Sequence, residues 1–241
     1  MRLVSLVKSL EYGQQQGLHE RMIVLKSLRW LVFALCMAAC QPQRFSDSSA
    51  EFTKRVAALA VLERLNADLL SHPSATVTLR HLCQKLQLDP AGKVIAAPMS
   101  SASQALPADG RTVLQITEST AVRYRHVGLS CGDTVLSEAE NWYVPSRLLP
   151  EMVRRLDTTH VPFGLIVAPL HFHRQTLDAA LLWQPLPDGW EMTSDDSSLP
   201  PVSPLPHFVL RHRAILRAEN GIPFALVIEN YTSAVLPASL R

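Results

Sequence analysis

Glycine is scarce in this chain and proline is not: nine glycines stand against seventeen prolines in 241 residues. Stiff loops follow, and flexible glycine-rich linkers are excluded. A dominant charge is missing as well. The formal net charge is +2, so no strong field selects an acidic partner or nucleic acid. No helix-turn-helix region or basic patch is present either, and nucleic acid is not an expected partner. The chain has no GxSxG, no phosphate loop, no HExxH and no CxxC pair. Those chemistries lack their motifs, and no cofactor is expected. No uncharged apolar run reaches the roughly 20 residues that a membrane helix needs.

What is present is globular. Hydrophobic residues make up 47% and charged residues 18%, enough apolar material for a core. The length suits one domain with an extension, expected as a monomer. Residues 1–40 read as that extension. Lys26 and Arg29 precede ten apolar residues, Trp30 to Ala39, the layout of an export signal. Met37-Ala38-Ala39-Cys40 resembles a lipoprotein lipobox with Cys40 as the lipidated residue, and Met22 is a plausible start. Membrane contact is expected only through this anchor. Residues 41–49 read as a polar tether, and 50–241 as a single domain. Cys83 and Cys131 remain for that domain. Spacing alone cannot bring two sulfurs together, so two buried thiols are the expectation and a disulfide the alternative.

The predicted class is α+β, a mostly antiparallel sheet with flanking helices. Phe52, Val56, Leu59, Leu62, Leu65 and Leu69 recur at helical spacing before Pro73. A second helix is predicted over Val77–Leu88. Residues 97–110 read as loop, and Thr112–Ser119, Val122–Cys131 and Thr134–Val144 as strands, the last two joined at Gly132-Asp133. A helix follows Pro145-Ser146. Residues 174–183 read as a short helix or strand. A proline-rich loop fills 185–206, and a hairpin turns at Glu219-Asn220-Gly221.

Arg123 and Arg125 share a strand face, and Arg125 continues into Val127, Leu129 and Cys131. An arginine there either lies in solvent at an edge or grips a carboxylate. Glu229, in PFALVIENY, is expected to be partly buried. Such a carboxylate can hold a proton, or it can serve as a structural partner for an arginine. Glu138, Glu140 and Trp142 fall on one face of their strand, Asn141 and Tyr143 on the other. Glu140 and Asn141 are candidate pocket residues. His171 and His173 form a HxH pair without evident third and fourth ligands, so no metal is expected.

The stretch Arg123–Pro145, then Pro162-Phe163-Gly164, then the final hairpin with Gly221, Pro223 and Glu229, resembles the chorismate pyruvate-lyase family. That fold is shared with effector-binding domains of UTRA-type transcription regulators. The resemblance implies a closed pocket under helical flaps, and cleavage of chorismate to 4-hydroxybenzoate and pyruvate in ubiquinone biosynthesis. It casts Arg125 as carboxylate clamp and Glu229 as the catalytic proton carrier, with Phe163 and Gly164 offering backbone to the substrate. Glu229 lies one residue further from Gly221 than in that family, which implies a bulge. A cytoplasmic lyase and an exported protein are opposed locations. The alternative is therefore an exported lipoprotein that binds a small aromatic or carboxylate ligand without catalysis.

Overall fold

Ala58, Leu62, Leu65 and Leu69 are spaced four, three and four residues apart, so one stripe of the first helix is apolar and buried. In the computed structural model that helix, α1, runs Phe45–Ser71. The structure describes residues 45–99, 103–192, 201 and 203–241, with side chains from residue 49. The signal-like segment, Cys40 and residues 41–44 lie outside the described residues. Residues 45–49, read as the end of a tether, are already helical. Helix α2, Ala75–Lys85, follows after Pro73.

Six antiparallel strands form one sheet in the order β1-β2-β3-β6-β5-β4. The strands are β1 Val94–Pro98, β2 Arg123–Cys131, β3 Thr134–Tyr143, β4 His173–Leu181, β5 Phe208–Arg217 and β6 Pro223–Thr232. The two predicted hairpins are β2–β3 and β5–β6. The two hairpins join into one open sheet because β3 pairs with β6, placing Ala139 opposite Glu229 and Asn141 opposite Val227. A register shift between Leu216 and Arg217, opposite Ala225 and Pro223, falls within the span that separates Gly221 from Glu229.

Two expectations are corrected. Thr112–Ser119 is not strand: Gly110–Leu114 forms a short helix, α3, and 115–119 are turn and irregular. Its Leu114 packs with Trp142, Ile215 and Leu226 on the outer sheet face. Strand β1, Val94–Pro98, falls on residues given no element and on the start of the stretch read as loop. It is short, ends in proline, and gains its order by pairing with β2.

Strand period two gives each sheet face its own residues. One face carries Val127, Leu129, Ala139 and Tyr231, packed with α1 and α2. Further along the same face, Tyr143, Ala225, Val227 and Leu216 pack with α4, Pro150–Thr158, and α5, Phe163–Ile166. Truncating a stripe residue such as Leu62→Ala is expected to cost about 2–5 kcal/mol, read as a lower urea midpoint.

Cys83 of α2 and Cys131 of β2 are joined by a disulfide with their Cα atoms 6.0 Å apart. This overturns the expectation of two thiols. Both cysteines are fully buried. Sequence spacing could not reveal the pairing because the helix must first fold back over the sheet.

Candidate functional site

Where the two apolar clusters meet, the sheet surface turns polar. Asn141 of β3, Glu229 of β6 and Arg174 of β4 line a cavity there. Its roof is Pro73–Thr76, the entry to α2, together with Phe163 and Gly164 of α5. Its walls include Phe172, Val127, Leu129 and Val227. The enclosed space is about 30 Å³, room for a water molecule and little more.

Arg174 is the decisive side chain. It extends from β4 over β5, and its Nη2 meets Glu229 Oε2 at 2.7 Å, with only 4% and 9% of the two side chains exposed. The contact is a close ion pair but is not aligned as a hydrogen bond, and Arg174 Nε has no hydrogen-bond partner. Burial alone would lower the guanidinium pKa. The Glu229 carboxylate and the Tyr231 phenol more than offset this and hold it above its ordinary value. Tyr231 donates to Glu229 Oε2 at 3.1 Å. Burial, then the Glu229 charge, pushes the phenol well above its usual range. Ser74 Oγ in the roof is likewise buried without a partner. A guanidinium N–H and a hydroxyl, both unpartnered, thus belong to a lining that also holds Asn141, Glu229 and apolar and aromatic walls. That donor set suits a carboxylate oxygen.

The structure gathers Asn141, Phe163, Gly164 and Glu229 at this cavity. Two other candidates stand apart from it. Arg125 donates through Nε to Leu156 O at 3.1 Å, and through Nη2 to Thr159 O and Val161 O, both at 3.3 Å. It pins the end of α4 instead of lining the cavity, and burial lowers its pKa. Glu140 lies on the opposite sheet face, where it accepts from the Tyr124 hydroxyl at 2.8 Å. Adjacent strand residues point to opposite faces, so Glu140 and Asn141 cannot share one pocket. His171 and His173 join no group of three metal-ligating side chains among the described residues.

Sequence reasoning missed Arg174, Ser74 and Phe172. The available signal was weak: Phe172, Arg174 and Thr176 alternate with polar residues in HFHRQT. Nothing local said that this strand's arginine reaches inward.

Behind the ion pair sits His212, fully buried. Its Nε2 lies 2.9 Å from Asn66 Oδ1 of α1, so Nε2 carries the proton. Its Nδ1 has no partner. Burial first, then the Arg174 charge, lowers its pKa from 6.5 to about 4. The unfolded chain therefore binds the proton more readily. Stability is unaffected above pH 6.5, falls as pH drops towards 4, and levels off below. The expected loss is on the order of 3 kcal/mol. Urea unfolding at pH 7.5 and pH 4.5 checks this, with a shallower pH slope expected in His212→Gln.

Gly164 sets how closely the roof segments approach. A Cβ there would sit 2.8 Å from Ser74 Oγ. That hydroxyl can rotate away, so Gly164→Ala is expected to cost about 1 kcal/mol. Gly164→Val should force the roof apart and cost more. Denaturant midpoints of the two variants measure the difference.

No protein-family model matches the chain. Over 191 residues it is 47% identical to the uncharacterized protein y4mC of Sinorhizobium fredii (strain NBRC 101917 / NGR234), a match covering 77% of this chain and 80% of that protein. The chain belongs to the y4mC family. Among solved structures it is similar to PhnF from Mycobacterium smegmatis, at 12% identity and TM-score 0.42, covering 69% of this chain and 67% of that one. It is similar to YydK from Bacillus subtilis at 17% identity and TM-score 0.36, covering 59% of each chain. A GntR-family transcriptional regulator from Bacillus cereus gives 10% identity and TM-score 0.36, covering 59% and 94%. TM-scores below 0.5 carry no weight for function.

Proposed function

We propose that this protein is a binding module for a small aromatic carboxylate, held in the central cavity with Arg174 as its anchor. The observation that supports this most is the Arg174 guanidinium. It is almost fully buried and faces an aromatic-lined cavity with Nε unpartnered. A ligand carboxylate would accept from Nε and from Ser74 Oγ, satisfying two buried donors at once. Phe163, Phe172 and Val227 would hold the ring. A benzene-sized ligand needs about 150 Å³, so binding requires the roof at Pro73–Thr76 and Phe163–Gly164 to lift.

A lyase is the second reading, favoured because Glu229 shares the cavity with the arginine. Glu229 Oε2 is already engaged by both Arg174 and the Tyr231 hydroxyl, which favours binding over proton transfer. Incubation with chorismate is therefore expected to release no pyruvate above background. Release that disappears in Glu229→Gln would make the protein a lyase.

The disulfide supports an exported protein, since such bonds persist in oxidising compartments. On this reading residues 22–40 direct export, Cys40 is lipidated, and the domain is periplasmic or tethered to a membrane. Labelled fatty acid should be incorporated into the protein and lost in Cys40→Ser; equal labelling of both would remove the lipoprotein part of the reading.

A further inference from the structure

Among the described residues, Arg174 and Glu229 are the charged side chains of the central cavity's lining, and they form one buried pair. The site is therefore electrically balanced before any ligand enters. The other buried arginine, Arg125, lies apart and is committed to backbone carbonyls. A carboxylate ligand adds a second negative charge where the guanidinium is already matched. In a dry space an unbalanced charge is costly, and the usual relief is a proton.

His212 is the group placed to take that proton. It stands on β5, between the strands that carry Arg174 and Glu229, and is opposite Glu229 in register. It is fully buried. Asn66 Oδ1 accepts from Nε2, which fixes the tautomer and leaves the Nδ1 lone pair without a partner. Protonation at Nδ1 asks nothing new of Asn66, because Nε2 donates in both forms. The groups facing the ring come from three elements. Arg174 and Asp178 act from β4, and Glu229 and the Tyr231 phenol from β6. From α1 comes Asn66, whose amide donates to Glu63 at 3.3 Å. Arg174 opposes a proton on the ring, whereas Glu229 and Asp178 favour it. A carboxylate seated on Arg174 screens the opposing charge and adds a favourable one, so both changes act in the same direction.

We propose that the central cavity takes up its carboxylate ligand together with one proton, carried by His212 Nδ1. The inference rests on the reading of that cavity as an aromatic carboxylate site. It gives binding a direction with pH. In the free protein His212 titrates at about 4. An opposite charge nearby raises a basic group by roughly 1–3 units. For a rise of about two units, binding of the acid should tighten about fourfold between pH 7.5 and pH 5.5. A neutral ligand adds no charge and should bind equally at both.

Calorimetric titration of the purified protein with 4-hydroxybenzoate at pH 7.5 and pH 5.5, in buffers of different ionisation enthalpy, tests the proposal. The dependence of the heat on buffer counts the protons taken up. About 0.7 proton per ligand is expected at pH 5.5 and almost none at pH 7.5. The neutral amide should take up none at either. His212→Gln keeps a donor for Asn66, so it should bind the acid with one affinity at both pH values and without proton uptake. A reading on the native protein does not depend on that variant folding. At pH 5.5 the His212 ring should give the neutral magnetic-resonance signature in the free protein and mostly the protonated one when 4-hydroxybenzoate saturates it. Binding without proton uptake, or a ring that stays neutral, overturns the proposal. Uptake retained in His212→Gln would place the proton on Glu229 and also overturn it. These results would leave the carboxylate site itself standing. Absence of 4-hydroxybenzoate binding at both pH values would overturn the reading of the cavity, and the proposal with it.

Discussion

Arg174→Met is expected to lower stability by about 3–5 kcal/mol and to remove aromatic carboxylate binding. The stability loss follows from burial. Removing one member of a buried ion pair leaves the other charge without compensation in a dry site. Here the stranded group is Glu229, 9% exposed and held between β3 and β5. Two further variants separate fold from function. Arg174→Met with Glu229→Leu removes both charges, so most of the lost stability should return while binding stays absent. Arg174→Lys keeps a charge but lacks the planar fork, so the protein should fold with weakened binding. Urea unfolding and ligand titration on the same preparations give both readouts. A fully stable Arg174→Met protein would mean that the pair is not buried as described.

Loss of the Cys83–Cys131 disulfide should cost about 4 kcal/mol. The bridge spans a sequence separation of 48 residues, and closing a loop of that length restricts the unfolded chain by about this much. A single domain of this size has roughly 5–15 kcal/mol in total, so the reduced protein should be marginal. The bond also ties the far end of α2 to β2, while the near end of α2 forms part of the cavity roof. Cys83→Ser with Cys131→Ser should therefore weaken ligand binding as well as stability. Urea midpoints of oxidised protein, reduced protein and the double variant should fall into two classes, with the last two together. Equal midpoints in all three would show that the bridge does not constrain the fold.

The hairpins were legible because their signals are local. Gly132-Asp133 and Asn220-Gly221 mark turns, and the flanking strands alternate or run apolar. Helix α1 was legible from its apolar stripe, although it begins at residue 45, inside a stretch read as tether. Strand β1 was not legible, since five residues ending in proline gain their order only by pairing with β2. Residues 112–114 carry branched side chains but sit in a short helix, where packing of Leu114 against Trp142 overrides strand propensity. The candidate site was half legible. Glu229 stood out as a carboxylate in an apolar run, whereas Phe163 and Gly164 were pointed to only by the family resemblance. The contacts of Arg125 and Arg174 were not legible because each one's partners are distant in sequence. Arg125 meets carbonyls 31 to 36 residues away, and Arg174 meets a carboxylate on a strand two places across the sheet. Strand periodicity gives the face on which a side chain lies, but not what it meets there.

The central claim is that a buried arginine anchors a carboxylate. Calorimetric titration with 4-hydroxybenzoate and its neutral amide, against the native protein and Arg174→Lys, tests it most directly. The account predicts saturable binding of the acid, at least tenfold weaker binding of the amide, and loss of most of that preference in Arg174→Lys. Equal affinity for acid and amide, or an acid preference unchanged in Arg174→Lys, would contradict it.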